Sequence, residues 1–313
     1  MISKIKEISG LFSVAGYESK LTDYILKEAE AYCDECYTDK IGNVILRKKG
    51  EGEKLLINIP ISSDGLFITF ITDDLKGHIK PIGNPEPSKI SGKAVVNEAG
   101  KTVGVIRADA PDDIDSLYID FGVSEKNDIP VKEGDVLSVK KEFYEINNTL
   151  FSDTVETGVL IYIVMSLLKD IKSDYDLYFA FTVMDNIGFK GAKTAAFSIK
   201  PDYALILSHS YCDGKDKTVK RDKGIAVRIT DSHFVSNKKM RDFIIDKLAS
   251  AGIPYQIEIL SKDGIVNNEI MYMNNGILTL DLNLPVSGSG ELLKGVSIKD
   301  IEAYKNAINK ILG

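Results

Sequence analysis

Residues 177–207 read LYFAFTVMDNIGFKGAKTAAFSIKPDYALIL, and their apolar pattern changes period twice. Leu177 to Val183 is a short apolar run of the kind a strand carries when both its faces are covered. Gly191 to Phe197 reads as a helix, and Tyr203 to Leu207 as a second buried strand. Strand, helix and strand in that order predict a parallel pair joined by a crossover. Working outward, a helix over Val159 to Lys169 precedes this unit. Strands at Ile225 to Ile229, Gln256 to Leu260 and Leu278 to Leu282, with helices at Asn237 to Ala251 and Ile298 to Leu312, continue it. The fold class is therefore α/β, with a mixed, mainly parallel sheet between helices.

The N-terminal segment supplies further pieces of that sheet domain. Ile5, Ile8 and Leu11, then Leu21, Tyr24, Ile25 and Ala29, recur at helical spacing. Ser13-Val-Ala-Gly-Tyr17 interrupts them, which predicts two helices joined at Gly16. A strand over Ile41 to Leu46, opened by a turn at Gly42-Asn43, and a buried strand over Leu55 to Ile59 follow. From about Leu66 to Leu150 the pattern is only strands and turns: Phe67 to Ile71, Lys93 to Val96, Val103 to Ile106, Leu117 to Phe121 and Val136 to Val139. Many short strands with no long helix predict a small inserted β-barrel or sandwich. The expected division is residues 1–66 plus 151–313 as a discontinuous α/β domain and 67–150 as the insertion.

Charge and composition remove several function classes. Lysine and arginine number 39 against 46 acids, a net charge of −7, which argues against a nucleic-acid partner. The basic stretch Lys215 to Lys223 is broken by Asp216 and Asp222 and reads as a solvated loop. No apolar run approaches the roughly 20 residues that span a bilayer. Met1-Ile-Ser-Lys-Ile-Lys-Glu7 reads as amphipathic helix rather than a signal sequence, so a cytoplasmic location is the expectation. Three cysteines make no disulfide framework, and Cys33-Asp-Glu-Cys36 lacks a second pair to complete a zinc site.

Several strings arrive in a recognisable order: Ser13-Val-Ala-Gly-Tyr-Glu18, Asp39-Lys-Ile-Gly-Asn-Val44, Pro81-Ile-Gly83, Gly104-Val-Ile106, Ile119-Asp-Phe-Gly122, the run from Phe181 to Ala195, and Ile253-Pro-Tyr-Gln256. Together they resemble the M42 family of metallo-aminopeptidases, the glutamyl or deblocking aminopeptidases, some once called endoglucanase M. The resemblance covers almost the whole chain. It implies a zinc-peptidase sheet domain, an inserted barrel-like dimerisation domain, assembly into dimers and often dodecamers, and two zinc or cobalt ions. Two such ions clamp the attacking water and the scissile carbonyl, which needs about five His, Asp or Glu ligands and a carboxylate base.

At those positions this chain departs from the resemblance. Pro60 stands where the family has its first metal-binding His, and Ser62 where its Asp follows. Aligned on Gly158, Thr154 and Val155 replace the acids that open the next helix, with Asp153 one residue away. The Glu pair, base and ligand, falls on Asp185 and Asn186. The next acid falls on Ser208, and the last His falls near Gly290. Hydroxyls and a neutral amide are weak partners for zinc, and proline and glycine offer no side-chain donor. Asp185, one methylene shorter than Glu, falls about an ångström short of its water.

The expectation is a family member with a degenerate metal site, no bound cofactor, and a binding or assembly role. It would form a homo-oligomer through the insertion and hold a peptide or join an active paralogue. A second reading places a single-metal or relocated hydrolytic site at Asp153, Asp185 and His209. Of the three histidines, His78 and His233 read as surface residues. His209 ends a parallel strand, where sites of open sheets gather. Ser208 and Ser210 flank His209 but face away from it, and Cys212 is the nearer nucleophile. A glycosidase needs two spaced carboxylates, for which only Asp185, Asp153 and Glu156 are at hand.

Overall fold

The computed structural model describes residues 1–110, 112–214, 218–261 and 268–313. Two helices open the chain, α1 (Ile2–Ser9) and α2 (Ser19–Ala29), followed by strands β1 (Glu35–Thr38), β2 (Val44–Lys48) and β3 (Lys54–Pro60). Next come β4 (Gly65–Ile71), β5 (Lys76–Ile82), the one-turn helix α3 (Pro87–Ile90), β6 (Ala94–Asn97), β7 (Thr102–Ala108), β8 (Leu117–Asp120) and β9 (Val136–Val139). The chain continues through β10 (Phe143–Ile146), β11 (Thr149–Ser152), α4 (Val155–Leu167), β12 (Asp176–Thr182), α5 (Lys190–Ile199) and β13 (Tyr203–Tyr211). It ends with β14 (Ile225–Thr230), α6 (Lys238–Ser250), β15 (Tyr255–Ile259), β16 (Leu278–Val286), β17 (Lys294–Ser297) and α7 (Ile298–Leu312).

Eight strands form one sheet in the order β1-β2-β12-β3-β13-β16-β14-β15. The centre, β12-β3-β13-β16, is parallel throughout. Burial along β3 shows why: Leu55, Ile57 and Ile59 belong to the core on the α4 side, and Leu56 to the core under α5 on the other face. A strand with no wet face needs helices on both sides, and the crossovers provide them. β4-β5-β8-β7-β6-β9 close into a barrel with its own core, including Leu66, Ile106, Ile119 and Leu137. β10, β11 and β17 make a small sheet that ties the exit of the barrel to the C-terminal part of the chain. The fold is thus the expected α/β sheet with an inserted barrel.

Some boundaries differ from the sequence reading. α4 starts at Val155, a turn before the expected Val159, because Gly158 sits inside the helix and not at its entrance. The glycine is there for contact: a Cβ on it would collide with Ser9 Oγ and lie 3.1 Å from Ile5 O of α1. Cys36 lies in β1, and both Cys33 and Cys36 are free thiols. Burial, with each thiol beside the other, pushes Cys36 up to about 12. His78 stacks on Phe70 at 4.2 Å, and His233 is exposed. Lys215, Asp216 and Lys217 of the basic stretch lie outside the described residues, and Lys220 to Lys223 are exposed. No helix among the described residues is long and apolar enough to cross a membrane.

Replacing Gly158 with alanine tests the α1–α4 approach. Overpacking of this kind costs roughly 1–3 kcal/mol, so urea unfolding of Gly158→Ala should show a lower midpoint with an unchanged slope.

Candidate functional site

At the carboxyl ends of β3, β12 and β13 the sheet opens into a cavity of about 420 Å³. Pro60, Ser62, Asp153, Thr154, Asp185, Asn186, Ser208, His209 and Gly290 all line it. Residues scattered over 230 positions of sequence meet because the parallel strands end side by side, with Pro60 level with Thr182. Cys212, half-buried just beyond β13, is not among the lining residues, and burial pushes its thiol up.

Most polar groups at these positions are already engaged by the protein. Ser62 Oγ donates to Glu18 Oε1 at 2.6 Å, and the same oxygen accepts the Met184 amide at 2.8 Å. Thr154 Oγ1 donates to Ser9 O at 2.9 Å, which holds α4 to the end of α1. Asn186 Nδ2 donates to Asp64 Oδ1 at 2.7 Å. Asp185 Oδ2 accepts a short hydrogen bond from Thr182 Oγ1, and its Oδ1 accepts the Ala192 amide of α5 at 3.0 Å. Asp185 therefore serves the exposed N–H groups that begin α5. Burial nevertheless pushes its carboxyl up to about 6. Gly290 has φ +74°, a left-handed conformation that suits glycine.

The sequence reading named Asp153 and Glu156 but missed the lysines that face them. Lys294 Nζ, on a half-buried side chain, forms an ion pair with the buried Glu156 Oε1. Burial opposes charge on both, but each offsets that cost for the other: Lys294 is held above its ordinary range and Glu156 below. Lys141, half-buried, donates to Leu11 O at 2.7 Å and to Ser13 Oγ at 3.2 Å. Burial pushes its ammonium down to about 8, against the pull of Asp153 and Glu156. Asp153 is pushed up by burial, and Lys141 and the Ser152 hydroxyl work in the other direction. Glu156 has a legible signal, an acid in the first turn of α4. The lysines have none, since nothing in Val139-Lys-Lys141 or Leu293-Lys294 marks them as half-buried.

His209 lies on the opposite sheet face from Ser208 and Ser210. Its neighbours two residues back, Leu207 and Leu205, pack in the α4-side core, while Ile206 packs in the α5-side core. Ser210 Oγ instead accepts from Arg228 at 3.0 Å. Burial pushes the His209 imidazole down to about 4, so it is neutral at pH 7. Its Nε2 and Glu156 Oε2 are buried without a hydrogen-bond partner. Among the described residues, no three His, Cys, Asp or Glu side chains are placed to share a metal ion.

The family model described as M42 glutamyl aminopeptidase matches residues 42–306. The chain belongs to this family. A putative aminopeptidase from Acetivibrio thermocellus is 28% identical over 315 residues, covering 96% of this chain and 95% of its own. The aminopeptidase APDkam598 from Desulfurococcus kamchatkensis has the same fold, with a TM-score of 0.93 at 24% identity over 99% of this chain and 94% of its own. The TET1 peptidase of Pyrococcus horikoshii, described as assembling into a tetrahedron or a large octahedral shell, gives a TM-score of 0.86 at 26% identity, covering 99% and 98%.

The placement of Asp185 gives a pH signature. Its folded value of about 6 lies above the unfolded 3.8, so the folded protein holds the proton more tightly and stability falls as pH rises between those values. Asp185→Asn keeps an acceptor for Ala192 and removes the charge. From pH 4.5 to 7.5, unfolding free energies from urea titrations should shift in favour of the variant by on the order of 2 kcal/mol. A pH-independent difference would mean that Asp185 is not held protonated by burial.

Proposed function

We propose that this chain has lost the two-metal catalysis of its family and uses the cavity to hold a ligand within a homo-oligomeric assembly. The observation that carries this reading is the Lys294–Glu156 ion pair that lines the cavity. Two divalent ions need a surplus of carboxylate and imidazole donors. Here Glu156 and Asp153 are each faced by a half-buried lysine, Lys294 and Lys141, and like charge at short range in a low-dielectric site repels an incoming cation. The side chains at the positions that resemblance assigns to ligands and base (Ser62, Thr154, Asp185 and Asn186) are committed to protein partners. Pro60 and Gly290 bring no donor. These residues do not fit a pair of zinc or cobalt ions, and no chemical step is routed through one.

The competing reading, one metal held by Asp153, Asp185 and His209, has less support. Both Asp185 oxygens are in use on the α5 side of the sheet, and His209 faces α4. For the ligand, the family points first to a peptide, and an active paralogue within the same assembly is the other partner. The self-assembly described for the Pyrococcus horikoshii TET1 peptidase supports a homo-oligomer here. We assign the dimer contact to the barrel, taking residues 67–150 as the assembly unit and 1–66 with 151–313 as the peptidase-like unit.

Metal analysis and calorimetry test the first part. The purified protein should take up no stoichiometric zinc or cobalt, and a chelator should leave its melting temperature unchanged within about a degree, because a ligand that is not bound contributes nothing by mass action. Two tightly bound ions, lost on mutation around Asp185, would overturn the proposal. Light scattering checks assembly: a dimer or larger species is expected at micromolar concentration, and barrel-face substitutions should release monomer.

A further inference from the structure

Two polar atoms in the cavity are buried and unsatisfied, Glu156 Oε2 and His209 Nε2, on side chains that are 6% and 8% exposed. Both residues line the same space, and so do Lys294 and Lys141. A buried carboxylate oxygen without a donor costs about as much as a lost hydrogen bond to a charged group. Native interiors seldom leave such an atom bare unless something else fills the place. The pair therefore marks where a ligand's donor belongs.

Local pairing decides what kind of ligand. Glu156 faces Lys294 and Asp153 faces Lys141, so at this end each acid already has a lysine beside it, while Asp64 and Asp185 line the rest of the cavity. A lone cation satisfying Glu156 Oε2 would sit beside the Lys294 ammonium, and a lone anion on the lysines would sit beside Glu156. A molecule carrying both charges on one short frame meets neither penalty, because its own ions alternate with those of the protein. Around this polar end stand Pro60, Leu160, Phe189 and Leu207, an apolar wall suited to a hydrocarbon side chain.

We propose that Glu156, His209 and Lys294 form a receptor site for the zwitterionic head of a free α-amino acid, with an apolar side chain against the wall. The ammonium donates to Glu156 Oε2 and His209 Nε2, and the carboxylate accepts from the Lys294 ammonium, with Lys141 as its second cation. This deepens the ligand-holding reading and rests on it, since a metal pair in the cavity would leave no place for such a head. No bond is made or broken.

Calorimetry on the full-length metal-free protein compares L-leucine, L-leucinamide and N-acetyl-L-leucine, with a leucine-initiated peptide as a fourth probe. Leucine should bind, and each blocked form should bind about tenfold or more weakly, because each strands one buried partner. Glu156→Gln and His209→Gln should each weaken leucine by a similar factor while keeping a cooperative thermal transition. Should Glu156→Gln fail to fold, His209→Gln alone carries the test. Blocked forms that bind as tightly as leucine, or a folded His209→Gln protein that binds leucine like the wild type, overturn the proposal. Peptide binding without leucine binding also overturns it but leaves the ligand-holding reading standing. If neither peptide nor leucine binds, both fall.

Discussion

Strands β12, β3 and β13 run parallel and are covered on both faces, with β12 and β3 ending level and β13 running a few residues further; most of the rest of the molecule follows from that arrangement. A parallel ladder cannot be closed by tight turns, so each connection must cross over a face and deliver a helix to it. The connection after β3 makes the longest excursion, building the barrel before it returns through β10 and β11 to α4. Because α4 starts where those three strands stop, its first turn meets Pro60, Asp185 and His209 across one cavity. The side-chain ladder makes this end polar. Thr182, Ser208, His209 and Ser210 occupy positions that the strands' apolar alternation would give to core residues.

Placing ionised groups there carries a desolvation cost that only pairing offsets. The protein meets it twice, on opposite faces of the sheet. On the α4 face, Glu156 and Lys294 stabilise each other's charge, and Lys141 lies against Asp153 and two hydroxyl or carbonyl oxygens. On the other face the fully buried Arg228 bridges Glu258 at 2.9 Å, Asp281 at 3.4 Å and Asp231 at 3.7 Å. One guanidinium cannot balance three carboxylates, and burial pushes Asp281 up to about 7 as a result. Removing Arg228 alone would leave those acids uncompensated, a larger loss than any single hydrogen bond in the cavity.

The sheet was legible because its strands are long, apolar and separated by helical periods: Asp176–Thr182, Lys190–Ile199 and Tyr203–Tyr211 lie within a few residues of the expected elements. Strands with mixed composition were not. Lys76–Ile82 contains glycine, histidine, two lysines and proline, and becomes a strand only because the barrel pairs it with β4 and β8. Phe143–Ile146, Thr149–Ser152 and Lys294–Ser297 are four residues each; the first two form a hairpin, and the third joins it from far along the chain. The same distance hides the charged interior. Lys294 follows a leucine pair near the C-terminus, its partner Glu156 is 138 residues earlier, and a lysine is ordinarily a solvated residue. Resemblance could align the positions of a metal site, but only the fold discloses which side chains turned into the space between them.

The alternation along β13 has a consequence for what the cavity can do. Ser208 and Ser210 look toward α5 and His209 toward α4, so two adjacent positions address different sides of the sheet. On the α5 side Asp185 is bonded by Thr182 and the α5 amide, and Arg228 bonds Ser210, which leaves those groups fixed. On the α4 side Glu156 Oε2 and His209 Nε2 have nothing to bond to. Among the cavity-lining side chains named here, the unmet polar capacity is therefore on the helix α4 side. The acid there, Glu156, is paired with Lys294 and held ionised by it.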